Sequence, residues 1–206
     1  MKQKKLNFLV VGKILREKNI SIFTLKTFKQ IFPVSSWQAS YFLEAYTKKG
    51  FFRRLKKGLY ALENATLDEK EIANALYRPS YLSLEYVLAK NSIIPERAYI
   101  VSSVTTKPTR FFEIADKGFS YLKIKRVAFV GYRSNQENLG GKTVYTLVAE
   151  PEKALVDYLY FVVLGRKKLN DRLVLKNLNK KKIIRYARLF QRKKLLILID
   201  KLYDRK

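Results

Sequence analysis

The sequence predicts an α+β chain in two parts: a small helical domain closed by a hairpin, then a mixed domain with an antiparallel sheet and helices. Three observations point there. Apolar residues recur at helical spacing from Leu6 to Gly50. Residues 51 to 62 read FFRRLKKGLYAL around a turn-forming centre. Short β-branched and aromatic runs crowd the stretch from 98 to 148. Polar, turn-prone residues from Glu63 to Lys70 (ENATLDEK) separate the patterns, so the expected domains are 1–64 and 65–206.

Apolar side chains at positions 6, 9, 10 and 14 make Leu6 to Glu17 the first helix. Thr24 offers an N-cap to a second, with Leu25, Phe28, Ile31 and Phe32 on its inner face. Pro33 ends it, because its ring cannot continue the hydrogen-bond ladder and pushes Phe32 out of helical geometry. Ser35 caps a third helix, Ser36 to Lys49, closed by Gly50. Ala39, Phe42, Leu43 and Tyr46 fall on its inward face, and Ser36, Gln38, Ser40, Tyr41 and Lys48 on its outward face. Trp37 fits either an exposed position, where its ring could stack on a base, or one packed under the hairpin. Lys56-Lys57-Gly58 makes the hairpin bend, with Gly58 free to take φ > 0.

Helix, helix, short turn, helix and basic hairpin is the order of a winged helix-turn-helix domain. A helix fits the major groove of duplex DNA, and short polar side chains near its N-terminus reach base edges. Hairpin cations supply a sequence-independent grip on phosphate. The expected DNA-binding residues are Ser35, Ser36, Trp37, Gln38, Ser40, Tyr41 and Lys48 on the helix, with Arg53, Arg54, Lys56 and Lys57 on the wing. A protein-interaction module with a solvated wing is the structural alternative.

Charge supports an anionic partner. The chain carries a formal +26, and 48% hydrophobic content rules out a disordered polyelectrolyte. Residues 1–64 hold 14 Lys/Arg against 3 Asp/Glu and residues 166–206 hold 16 against 3, so two basic ends flank a nearly neutral middle. With no cysteine and no histidine, disulfide frameworks, thiolate metal sites, His-dependent zinc sites and serine–histidine triads are excluded. Met1-Lys2-Gln3-Lys4-Lys5 is basic, but the FLVVG run behind it is too short for a signal-peptide core. No uncharged apolar stretch is long enough to span a bilayer, so a cytoplasmic protein without membrane contact is expected.

In the second part, Pro79-Ser80 followed by YLSLEYVLAKNSII reads as a capped helix with a stripe of Tyr81, Leu84, Val87 and Leu88. Strands are expected at AYIVSSV (98–104), RFFEI (110–114), FSYLKI (119–124), VAFVGY (127–132) and TVYTLV (143–148), in a mostly antiparallel sheet. EPEKALVDYLYFVVLG opens a helix with proline at N1, and the remainder to Lys206 reads as basic helices.

The motifs PSYLSLEYVL, IVSSVTTKPTRFFE and AEPEKALVDYLY, in that order behind the basic hairpin, resemble the AbiEi-type antitoxin family of bacterial type IV toxin–antitoxin systems. The likeness covers roughly residues 20 to 165. It implies an N-terminal domain that binds inverted repeats in its own promoter as a repressor. It also implies a C-terminal domain that opposes a nucleotidyltransferase-like toxin without a stable complex. It marks Tyr81, Ser83, Thr105, Arg110 and Glu152 to Asp157 as signature positions without assigning them chemistry.

No catalytic site, metal site or cofactor is expected. Gly140-Gly141-Lys142-Thr143 mimics the end of a phosphate-binding loop, but Gln136 stands where that motif needs glycine, and a turn between strands explains it better. The carboxylates lie beside helix starts and show no metal-binding spacing. In the C-terminal helices, Ile183, Ile184, Ala187 and Phe190, then Leu195, Leu198, Ile199 and Leu202, give amphipathic faces. Their cations form either a solvated outer face or a second anion-binding surface, for DNA or RNA, and basic amphipathic helices can also lie on membranes. The competing reading of the whole chain is a non-enzymatic structural RNA-binding protein with basic surfaces at both ends.

Overall fold

The first helix starts where the sequence offers a cap. Asn7 Oδ1 accepts from Leu9 N at 2.8 Å, and α1 runs Phe8–Glu17. The computed structural model describes residues 6–139 and 142–204. Among these, eight α-helices and nine strands form two units, Met1–Leu76 with Glu137–Val144 and Tyr77–Gln136 with Tyr145–Lys206. The Gly140-Gly141 turn, the basic stretch 1–5 and the last two residues lie outside the described residues.

In the first unit, β1 (Ile22–Thr24) leads into α2 (Leu25–Ile31), where Thr24 Oγ1 accepts from Thr27 N at 3.1 Å. After Pro33, α3 runs Ser36–Lys48, followed by β2 (Phe52–Lys56), β3 (Leu59–Leu62) and α4 (Glu69–Leu76). Gly58 closes the hairpin at φ +76°, a conformation an L side chain would resist. The strands pair antiparallel in the order β1-β3-β2. Helices α1 to α3 cover an aromatic core of Phe23, Phe28, Phe42 and Phe52, all buried with Val11, Leu15 and Leu43. One element escaped the sequence reading: β1, whose three residues are too few to show a period. Helix α4 begins beside the Asp68-Glu69 carboxylates, where Asp68 accepts from Lys70 N at 2.8 Å.

A six-stranded sheet runs in the order β6-β7-β5-β4-β9-β8, and it belongs to the second unit except for Glu137–Leu139 of β8 and Lys142–Val144 of β9, which belong to the first. The strands of this sheet are β4 (Ser80–Leu82), β5 (Val101–Thr105), β6 (Arg110–Ile114), β7 (Lys117–Lys123), β8 (Tyr132–Leu139) and β9 (Lys142–Ala149). Helices α5 (Leu84–Lys90), α6 (Pro151–Val163), α7 (Lys180–Arg188) and α8 (Lys193–Asp204) complete the second unit.

Four expectations change. The sheet is mixed, because β5–β7 and β4–β9 run parallel. Residues 79–94 are not one helix: Ser80, Tyr81 and Leu82 pair with Thr105, Val104 and Ser103, and the chain turns into α5 at Leu84, φ +59°. Strand pairing on both sides outweighs the helical spacing of that segment. Residues 127–131 are not a strand: Arg126–Ala128 form a 3₁₀ turn, residues 129–131 are irregular, and the strand begins only at Tyr132. Residues 166–179 are irregular, so helix resumes only at Lys180, under an Asn179 cap.

Glu150 ties α6 to α7. It accepts from Arg133 Nε (2.6 Å) and Tyr186 Oη (2.7 Å), and pairs with Lys182 Nζ (2.6 Å). Burial alone would raise its pKa, but the bonds from Lys182, Tyr186 and Arg133 win and hold it at about 2 against an ordinary 4.5. A depressed carboxyl stabilises the fold above its unfolded pKa and loses that contribution as pH falls toward the folded one. Thermal melts from pH 5 to pH 2 are therefore expected to show an acid loss on the order of 2 kcal/mol that Glu150→Gln lacks. Parallel pH profiles in the two proteins would contradict this.

Candidate nucleic-acid interface

The Ser35 turn fixes how α3 begins. Ser35 Oγ accepts from Gln38 N and Gln38 Oε1 accepts from Ser35 N, both at 3.1 Å, a complete capping box. Ser36 Oγ accepts from Lys29 Nζ at 2.6 Å, so an α2 cation stands at the start of α3. Lys26, one turn earlier on the same face of α2, is exposed. Ala39, Phe42 and Leu43 are buried, as their spacing requires, and Ser40 is half-buried. Trp37 is 72% exposed and Tyr41 65% exposed, their rings stacked at 5.4 Å and 13°. Packing of Trp37 under the hairpin is thereby ruled out. Lys48 is exposed in the last turn.

The hairpin cations divide into two kinds. Arg54 and Lys57 are exposed, on or just after the strand that packs against α3. Arg53 instead donates from Nη2 to the Glu63 carbonyl at 3.0 Å, with Nε 3.7 Å from Glu63 Oε2. Lys56 donates from Nζ to the Leu76 carbonyl and is half-buried. Strand alternation alone could not have separated these pairs, because an irregularity between Arg54 and Lys56 shifts the register. Lys26 and Lys29 were missed by sequence reasoning, although their spacing of three on a capped helix was a usable signal.

A second cluster gathers signature residues inside the second unit. Asp157 Oδ2 accepts from Tyr81 Oη at 3.0 Å and Ser83 Oγ at 2.8 Å, while Lys153 Nζ pairs with Oδ1. Lys153 and Asp157 side chains are 0% exposed. Burial pushes Asp157 up and Lys153 down, and their mutual attraction opposes both. Burial and the adjacent Asp157 charge push the Tyr81 phenol well above its ordinary value. With no exposure for either charge, the arrangement holds α6 on β4 and offers no reacting surface. The other signature residues lie apart: Thr105 donates to the Pro79 carbonyl at 2.7 Å, Arg110 is exposed, and Glu152 faces Lys182 at 3.5 Å.

In α7 and α8, Ile183, Tyr186, Ala187, Leu195 and Ile199 are buried, and Lys181, Arg185, Arg188, Lys193, Lys194 and Lys201 are exposed or half-exposed. The pair is packed and wears a cationic outer face. Among the described residues no group of three or more Asp or Glu could hold a metal ion, and no helix is long and apolar enough to cross a membrane. No model of a known protein family matches the chain, and no curated protein matches it either.

Proposed function

We propose that the chain is a DNA-binding antitoxin of AbiEi type, which represses its own operon through a winged helix-turn-helix at its N-terminus. Its second unit opposes a nucleotidyltransferase-like toxin made from a neighbouring gene, without a stable complex. It works without enzymatic chemistry, metal or cofactor. The toxin-directed half of this reading rests on the motif resemblance alone.

The DNA-directed half rests on one observation. The exposed face of α3 shares its unit with Lys26, Lys48, Arg54 and Lys57, exposed cations with no ion-pair partner among the described residues. Such cations suit phosphates, the free backbone N–H groups at the helix start favour an anion, and a helix of this length fits the major groove. Footprinting on the duplex upstream of the gene tests it, with a protected inverted repeat as the expected result. Duplex RNA supplies a control, because its deep, narrow major groove does not admit a helix. Displacement of promoter DNA by equal concentrations of duplex RNA at moderate salt would favour the structural RNA-binding alternative.

The wing carries its own prediction. Arg54→Ala with Lys57→Ala weakens binding to cognate and random duplex alike. It also flattens the slope of log affinity against log salt by roughly 0.9 for each phosphate no longer neutralised. Arg53→Ala changes the slope less, because that guanidinium is engaged with Glu63. An unaltered slope in the double variant would take the wing off the phosphates.

A further inference from the structure

The polar side chains expected to read bases are already engaged. Ser35 and Gln38 satisfy each other, Ser36 holds Lys29, and Ser40 is half-buried. The exposed stripe left on α3 is Trp37, Tyr41, Glu44 and Lys48, at i, i+4, i+7 and i+11. Its front is apolar: two stacked rings, 72% and 65% exposed, on the first two turns. Neither ring stacks on any other aromatic among the described residues.

We infer that the stacked Trp37–Tyr41 pair is a thymine-reading element, whose rings cover C5-methyl groups in the major groove. The inference rests on the DNA-binding reading above. On the base edges of that groove, the thymine methyl is the one apolar group, so it alone complements a face that must shed water on docking. Lys26, Lys48, Arg54 and Lys57 supply positive charge in the same unit as this apolar face, which fits a duplex and disfavours an uncharged protein partner. Specificity read this way is a requirement for thymine at positions facing the start of α3. It is not a set of hydrogen bonds from Gln38.

The test uses the full chain and a duplex selected from a random library, resynthesised with deoxyuridine in place of thymidine. That exchange removes only the methyl groups. Affinity is expected to fall roughly fourfold for each methyl covered. Trp37→Ala, a change at an exposed position, is expected to bind both duplexes equally. Trp37 is the only tryptophan in the chain, so its fluorescence reports the contact directly, with quencher access falling when the thymine duplex is added. Equal affinity of the unaltered protein for both duplexes overturns the inference, as does an unchanged thymine-to-uracil ratio in Trp37→Ala. Tighter binding of single-stranded DNA would assign the rings to base stacking instead, and a dimer that Trp37→Ala dissociates would assign them to a second copy. Sequence-selective binding that ignores the methyl removes this inference and leaves the DNA-binding reading standing, whereas a selection that enriches no duplex removes both.

Discussion

Asp157→Ala lowers the unfolding free energy of the protein by about 3–5 kcal/mol, a large share of what a single domain possesses. Asp157 accepts from Tyr81 and Ser83 and pairs with Lys153, with no solvent reaching either charge. Deleting the carboxylate strands a buried ammonium. Its remaining neighbours include the ring faces of Tyr81 and Phe190, 5.6 and 5.1 Å from Nζ, and cation–π attraction offsets only part of the desolvation. The pair itself adds little net stability, since two desolvated charges about cancel their attraction. Breaking it is what costs. Lys153→Met in the Asp157→Ala background is therefore expected to restore much of the loss, because it removes the uncompensated charge. Urea denaturation measures each variant. If the second substitution recovers nothing, the stranded charge was not the cause.

That network gives physical content to positions that the sequence marks only as a pattern. Tyr81 ends up on β4, Ser83 just before α5, and Lys153 and Asp157 one turn apart on α6. Both hydroxyls and the ammonium converge on a single carboxylate, so the cluster joins α6 to β4 and to the turn before α5. Satisfied buried polar groups discriminate between packings more sharply than apolar ones, which tolerate small slips.

The α3 region was legible because its signals are local. Ser35 and Gln38 stand three apart in a capping box, Pro33 precedes them, and Ala39, Phe42 and Leu43 keep helical spacing; each acts within a turn. What decides β4 is remote. Tyr81 has helical spacing to Leu84 and Leu88, yet Ser80–Leu82 pair with Ser103–Thr105 and Leu82 with Val148. No window around residue 81 contains that information. The hairpin cations could not be told apart for a similar reason. Arg53, Arg54, Lys56 and Lys57 are chemically alike in the sequence, but the Glu63 and Leu76 carbonyls, met only in the fold, engage Arg53 and Lys56. The capping box was foreseeable too, and it carries a consequence for function: a side chain that caps its own helix is not free to read a base.

Gly131→Ala is expected to cost about 2–4 kcal/mol, the sum of a backbone effect and a packing effect. Gly131 sits at φ +76°, where an added Cβ is strained regardless of space. Space is also missing: that Cβ would lie 2.7 Å from Tyr186 Cζ, 2.8 Å from Cε1 and 3.0 Å from Lys153 Cγ. Neither neighbour can yield cheaply. The Tyr186 hydroxyl donates to Glu150 at 2.7 Å, and the Lys153 ammonium is paired with Asp157. The backbone is held as well, since Glu150 N donates to the Gly131 carbonyl at 2.9 Å. A double-mutant cycle separates the two effects. In a Tyr186→Ala background the clash with the ring disappears and the backbone strain dominates, so Gly131→Ala should there cost about 1–2 kcal/mol. Strictly additive losses would mean that the ring moves aside freely and that Gly131 is required by its conformation alone.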